Sequence, residues 1–440
     1  MVFDTTILGS NPSAPATQMK KLSKNYDIIT NFKNFFFPFY KSKEIKIIFE
    51  HLERGESKNK NIAMFVGGCV RKFICKEDID DIDIATILTP EQIKNKFLNS
   101  TIKVIDTGIE HGSLTIILNN LKFEITTLRK DIKSDGRHAE ISYSDSWEED
   151  SKRRDFTINA IYMDKKGKYF DPQNGINDLK NRLVKFIGDP SLRIEEDFLR
   201  IIRFIRFSLY YNSISNEKTI EAIKLHLNGI KNISKERILN ELIKILNTKN
   251  FRELIYKKNL VEIFSLIFPE FKYLERFKKF DSFLINKKLS EELLLGIMLL
   301  DESNNHEYFC HKYKTSNTLK DKLSFYKREF GNYVLDVNYF KKNLKKNIYL
   351  SGKKNIIEFN ILMFFLNKKY NYKTFLELSK NIEETTPPNF PYDGKYLIKK
   401  GFKEGRHIGS ILKKIEESWI NADYFLDEKN VNEIINKYKN

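Results

Sequence analysis

The sequence predicts an α+β protein: an N-terminal α/β head on a small mixed sheet, followed by an all-helical neck, body and tail. Three observations carry that prediction. Strand-like runs bounded by turn residues are concentrated between about 44 and 165. From about 177 onward, apolar residues recur at helical spacing. The chain has 440 residues, too many for one ordinary core, so two to four domains are expected.

The first segment, 1–43, reads as a leader with an N-terminal helical segment; its "GSNPSAPATQ" is disorder-like in composition. Asp4 and the lack of a long apolar core argue against a secretory signal. The head is placed at 44–165. "NIAMFV" (61–66) reads as a buried strand ending at Gly67-Gly68, and "VRKFI" begins a helix after it. "IDIATI", "SLTIIL" (113–118) and "KFEITTL" (122–128) are further strands. The polar run "RKDIKSDGRHAEISYSDSWEEDSK" reads as a mobile loop before "RRDFTINAIYM". The neck is placed at 166–250. There "LRIEEDFLRIIRFIRFSLYY" has the period of one helix, and "SKERILNELIKIL" that of another, capped by Ser234. The body and tail, 251–440, alternate Leu, Ile and Phe with Lys and Asn at helical spacing.

Charge narrows the function. Lys+Arg number 76 against 59 Asp+Glu, a net charge of +17, which points to a polyanionic partner unless a Lys/Asn/Ile-rich composition alone explains it. The longest apolar run, "LLLGIMLL" (293–300), falls well short of the roughly 20 residues of a spanning helix, so no membrane partner is expected. Cys69, Cys75 and Cys310 are scattered and odd in number, which predicts a reducing, cytoplasmic setting.

Against this basic background, "DIDDIDIAT" (78–86) crowds Asp78, Asp80, Asp81 and Asp83 together. Alternation along a strand places Asp81 and Asp83 on one face and Ile82 and Ile84 on the other. An exposed amphipathic strand looks the same, so the neighbours decide. Gly67 and Gly68 let a ligand approach the backbone where free amides at a helix start favour an anion, and Arg71 lies one turn in. Glu124 shares a face with Lys122 and Thr126, opposite Phe123 and Ile125. Hard cations take oxygen ligands, and a pair of them about 3.5–4 Å apart serves phosphoryl or nucleotidyl transfer. Carboxylates beside a phosphate cradle therefore predict a Mg²⁺ site.

"GGCVRKFICKEDIDDIDIAT" resembles the head motif of the tRNA nucleotidyltransferase/poly(A) polymerase family, in the bacterial-type (class II) branch of CCA-adding enzymes. "RRDFTINAIYMD" (153–164), "DPQNGINDLKNRLVKFIGDPSLRIEEDFLRIIRFIRF" (171–207) and "SKERILNEL" (234–242) are similar to the motifs that follow, in order. "GFKEGRHIGSILKKIEESWI" (401–420) resembles the family's C-terminal segment. The chain departs from the pattern on the helix after the glycines, with Lys72 where Asp is common and Cys75-Lys76 where Leu-Gly is common.

The resemblance implies a nucleotidyltransferase head that adds C, C and A to the tRNA 3′ end without a template, from CTP and ATP, with Mg²⁺. Asp81 and Asp83 would bind the metal and Glu124 would assist them. Gly67, Gly68 and Arg71 would hold the triphosphate, and Arg154, Asp155 and Asn159 the ribose and phosphates. Asp197 and Arg200, three apart on one predicted helix, would read the base. An ionised Asp accepts the exocyclic amine that C and A share, while Arg donates to the ring acceptor beside it. Glu236 and Arg237 would brace the neck, and the helical body and tail would bind tRNA. Rival readings are a poly(A) polymerase, a CC-adding or A-adding relative, or a non-catalytic RNA-binding protein. The segment "VIDTGIEHGSLTIIL" where poly(A) polymerases usually carry a "GRRF"-like stretch, the loop "SDGRHAE", and intact Asp81, Asp83 and Glu124 weigh against all but the A-adding form. No adjacent His-Asp pair marks an appended phosphohydrolase.

Overall fold

The computed structural model describes residues 38–57, 60–98, 100–134, 139–214, 216–280 and 288–438. The chain divides into two compact units, one up to Ile267 and one from Phe268. The segments expected as head and neck lie together in the first.

The first unit opens with helix α1 (Lys43–Glu53), capped by Ser42, which accepts the Ile45 N–H. Strand β1 (Ala63–Val66) runs through Gly67 into α2 (Gly68–Ile74), and β2 (Ile82–Thr86) follows. Helix α3 (Pro90–Phe97) is fixed by a Thr89/Gln92 capping box. Then come β3 (Lys103–Gly108), β4 (Ser113–Leu118) and β5 (Leu121–Thr127). With two short strands, β8 (Tyr162–Met163) and β9 (Tyr169–Phe170), they form a seven-stranded sheet of order β3-β4-β5-β2-β1-β8-β9. The sheet is mixed: β2 and β5 run parallel, and the other neighbours are antiparallel. The alternation in β5 is as the sequence suggests, with Phe123 and Ile125 buried and Lys122 and Glu124 exposed. β3 and the edge pair β8–β9 are additions to the strands the sequence indicated.

Two expectations change. The polar stretch 129–152 is not one loop. It contains a separate hairpin, β6 (Arg129–Ser134) with β7 (Ala139–Tyr143), and helix α4 (Trp147–Arg153) capped by Ser146. A charge-rich ribbon has no apolar alternation by which sequence could reveal it. Residues 135–138 of "SDGRHAE" lie outside the described residues. The second change is in "LRIEEDFLRIIRFIRFSLYY", which is two helices, α6 (Pro190–Glu196) and α7 (Leu199–Tyr210), after the short α5 (Gly175–Lys180). Asp197 is extended at the break, with φ −157° and ψ 104°. Its side chain accepts the Leu199 N–H at 3.1 Å, competing with the helix for the backbone. Phe198 then packs over Gly229, where even a Cβ would stand 2.1 Å from its ring. Helices α8 (Glu217–His226), α9 (Lys235–Leu246, capped by Ser234) and α10 (Lys258–Ile267) complete the unit.

The second unit is helical among its described residues. "LLLGIMLL" lies mostly in a helix, Glu291–Leu299, whose residues Leu293 to Leu299 are all buried, so its apolarity is that of a core element. A separate cluster joins Leu397, Ile408, Ile411, Ile415, Val431 and Ile435. Among the described residues, no helix is long and apolar enough to cross a membrane.

The stretch "DPQNGINDL" shows why its residue types are needed. Asp171 accepts the Gly175 and Ile176 N–H groups at 2.7 and 2.8 Å, starting α5. A Cβ on Gly175 would lie 2.2 Å from the Thr157 carbonyl oxygen, so only glycine lets α5 press against the 3₁₀ turn Thr157–Asn159. Buried Asp178 ties the two by accepting from Thr157 Oγ1 at 2.8 Å. Lys76, which follows α2, has φ 59°, a left-handed geometry that favours glycine. Gly175→Ala is therefore expected to lower stability by about 3 kcal/mol through overpacking. Lys76→Gly should raise it by up to about 1 kcal/mol by removing left-handed strain. Denaturant unfolding of the two variants checks both signs.

Candidate active site

A cavity of about 710 Å³ opens on the carboxyl-bearing face of β2 and β5, in the interior of the sheet. β1 delivers the chain to Gly67, whose φ 69° and ψ −120° suit only glycine. The turn brings Gly68 against β2, so that a Cβ there would stand 3.5 Å from Asp83 Oδ2, and the Gly68 amide hydrogen-bonds that carboxylate.

Asp81 precedes β2 and Asp83 is its second residue. The parallel pairing sets Asp83 directly opposite Glu124 of β5. Asp81, Asp83 and Glu124 all line the cavity with Asp80, which pairs with Lys72. Burial is the main force raising the Asp83 pKa, to about 6. Glu124 and Asp81 push the same way, while Arg154 and the Gly68 amide oppose them. Among the described residues, no three His, Cys, Asp or Glu side chains form a group able to hold a metal ion unaided. The donors nevertheless fit a hard divalent cation of the Mg²⁺ kind, which takes one or two carboxylates and completes its shell with water and phosphate oxygens. A cation at this face would also relieve the mutual repulsion of these acids.

The other wall is cationic. Arg71 donates to Asn159 Oδ1 and its guanidinium carbon lies 4.8 Å from the Phe207 ring centroid. Asn159 in turn donates to Asp155 Oδ1 at 2.8 Å. Buried Asp155 also accepts the Phe156 N–H at 2.8 Å and Arg203 at 2.6–2.7 Å. Those donors, Arg203 foremost, hold its carboxyl well below the usual carboxylate range despite burial. Glu241 of α9, 3% exposed, faces Arg203, Arg206 and Lys244 at 3.7, 3.3 and 3.1 Å. Burial lowers the Arg206 pKa to about 10. Arg203, Arg206, Phe207, Tyr210, Lys244, Asn247 and Thr248 all line the cavity, and none was singled out from sequence. The i, i+3 recurrence of Arg200, Arg203 and Arg206 was the available signal.

Most of the sequence candidates meet here: Gly67, Gly68, Arg71, Asp81, Asp83, Glu124, Arg154, Asp155 and Asn159 all line the cavity. Asp197 and Arg200 do not. Asp197 Oδ2 accepts Arg237 Nη2 at 2.7 Å. Arg200 Nη1 donates to Glu196 and to the Arg193 carbonyl at 2.6 and 2.7 Å. The helix break between them removes the shared face that a single helix would have given. Arg237 does join α9 to the Asp197 corner, whereas Glu236 is exposed in the first turn of α9.

Comparison with known proteins assigns the sequence to a family. Residues 63–185 match the model of the poly A polymerase head domain, and 216–274 that of the probable RNA and SrmB-binding site of polymerase A. The human mitochondrial CCA tRNA nucleotidyltransferase 1 is 30% identical to the chain over 401 residues, 86% of this chain and 88% of its own. The chain belongs to the tRNA nucleotidyltransferase/poly(A) polymerase family. The CCA-adding enzyme of Lactobacillus helveticus is likewise 30% identical, over 81% of this chain and 88% of its own. The fold agrees with that of the Bacillus stearothermophilus CCA-adding enzyme solved in complex with CTP. That match has a TM-score of 0.66 and 22% identity, covering 89% of this chain and 96% of that one.

The raised Asp83 pKa has a consequence for this family member without metal. Folded Asp83 binds its proton more tightly than the unfolded chain does, so its ionisation destabilises the fold as pH rises from about 4 through 6. Asp83→Asn should be more stable than wild type at pH 7.5, by up to about 3 kcal/mol for a shift of about two units. The difference should vanish near pH 4. Melting curves in chelator across that range are the check.

Proposed function

We propose that this chain is a CCA-adding enzyme, transferring CMP, CMP and then AMP from CTP and ATP to the 3′ end of tRNA without a template. The observation that carries the proposal is the register setting Asp83 opposite Glu124 beside the Gly67–Gly68 turn, in a cavity whose far wall is cationic. The tRNA 3′ hydroxyl oxygen attacks the α-phosphorus and gives up its proton to solvent, the bond from that phosphorus to the α–β bridging oxygen breaks, and pyrophosphate leaves. Asp81 and Asp83 would hold Mg²⁺, and Glu124 would support them. When bound, Mg²⁺ neutralises phosphate charge and lowers the pKa of the attacking hydroxyl. The Gly68 amide, Arg71 and Arg154 receive the triphosphate, and Asp155 orients Asn159 and Arg203 around it. The names of the 30%-identical relatives favour CCA addition over polyadenylation.

Residues 44–165 form the catalytic head in this reading, 166–250 the neck and 251–440 the tRNA-binding body. Base reading by Asp197 and Arg200 requires a rearrangement, since both lie outside the cavity lining. Asp197 would have to share or release Arg237, and Arg200 would have to leave Glu196 and the Arg193 carbonyl. The net charge of +17 suits a polyphosphate substrate whose backbone is gripped by Lys and Arg.

The test uses tRNA lacking its 3′ end, Mg²⁺ and labelled CTP or ATP. Wild type should add two C residues and then A. Asp81→Ala and Asp83→Ala should each lose at least 10³-fold in rate, while tRNA affinity stays within about twofold, because the lost groups serve the metal. Activity within a few-fold of wild type in either variant contradicts the assignment.

A further inference from the structure

One buried carboxylate behind the cavity has no place in the chemistry above. Asp150 lies on α4 and is 0% exposed. Its Oδ1 accepts Arg153 Nε at 2.7 Å and the Arg129 N–H at 3.4 Å, at the root of the β6–β7 hairpin. Its Oδ2 accepts Arg154 Nη2 at 3.0 Å, Arg154 Nε at 3.2 Å and the Tyr162 hydroxyl at 2.7 Å. Only an ionised carboxylate can meet that set, since it must accept from every neighbour and donate to none.

The consequence falls on Arg154. Tyr162 of β8, fully buried beside β1, receives Arg154 Nε at 3.0 Å, with the guanidinium 5.2 Å from its ring centroid. Asp150 is thus behind the guanidinium, an aromatic ring is against it, and the cavity is in front. Arg154 Nη1 hydrogen-bonds none of the described residues, and its charge is felt by Asp83. Without its anchor, a long cationic side chain would explore several rotamers and be drawn to the carboxylates of β2 and β5. We propose that Asp150 is a positioning residue: it holds Arg154 in the orientation that receives the nucleotide triphosphate and keeps it from folding onto Asp83. This rests on the nucleotide-binding part of the reading above, and not on which RNA is extended.

The test is a double-variant cycle of Asp150→Asn, Arg154→Gln and both, read as the CTP-dependent rise in melting temperature and as KM and kcat for CTP. Asp150→Asn should raise KM about tenfold with a smaller change in kcat, and should lose most of the CTP-dependent rise. In the Arg154→Gln background it should change KM less than twofold, because the group it acts through has gone. A lower melting temperature with an undiminished CTP-dependent rise would overturn the proposal, as would KM effects that multiply in the double variant. If Asp150→Asn does not fold, Tyr162→Phe gives the decision. It removes one bond from each of Asp150 and Arg154 and keeps both charges, so it should raise KM in wild type and not in Arg154→Gln. A wild-type protein with no CTP-dependent rise contradicts the proposed function itself. A rise that Asp150→Asn retains contradicts only the positioning role.

Discussion

The site depends on one pairing, the parallel alignment of β2 with β5 that places Asp83 opposite Glu124. Two acids side by side on a sheet are an unfavourable arrangement, and burial of one of them makes it worse. The rest of the head sustains it. Ile82, Ile84, Phe123 and Ile125 are buried on the opposite face, so a one-residue slip in either strand would put acids into the core and apolar groups into the cavity. The energy of that core holds in place a carboxylate pair that would otherwise separate.

Compensation elsewhere follows a consistent rule. Four of the cationic groups on the cavity wall are paired with acids: Arg154 with Asp150, Arg203 with Asp155, and Arg203, Arg206 and Lys244 with Glu241. Paired this way, buried arginines keep their charge and a fixed direction, which suits a polyphosphate ligand better than mobile surface lysines would. On the opposite wall Asp80 pairs with Lys72, but among the described residues Asp81, Asp83 and Glu124 form no salt bridge. The result is a cavity with acids on one wall and organised cations on the other, which is the charge distribution of a metal–triphosphate complex in reverse.

Much of this was legible in the sequence for physical reasons. Alternation in "IDIATI" and "KFEITTL" shows which side chains share a face, and glycines between a strand and a helix announce a close approach. Ser234 signals a helix start, as the structure bears out. What sequence could not supply were relations between distant segments. The i,i+4 spacing of Asp150 and Arg154 is local, but no local feature shows that Tyr162 closes over that pair, or that Glu241 meets arginines 35 or more positions earlier. The break at Asp197 was hidden because neither Gly nor Pro marks it. The partners that create it, Arg237 and Gly229, come from later helices. The hairpin 129–143 escaped because strands rich in charge carry no apolar rhythm.

The central claim is that Asp83 is kept poorly compensated by protein so that a cation can hold it. A carboxyl-detected NMR titration of Asp83, with and without Mg²⁺, tests this most directly. The account predicts a midpoint near pH 6 in metal-free protein that falls as Mg²⁺ is added. A midpoint in the ordinary carboxylate range, unmoved by Mg²⁺, would contradict it.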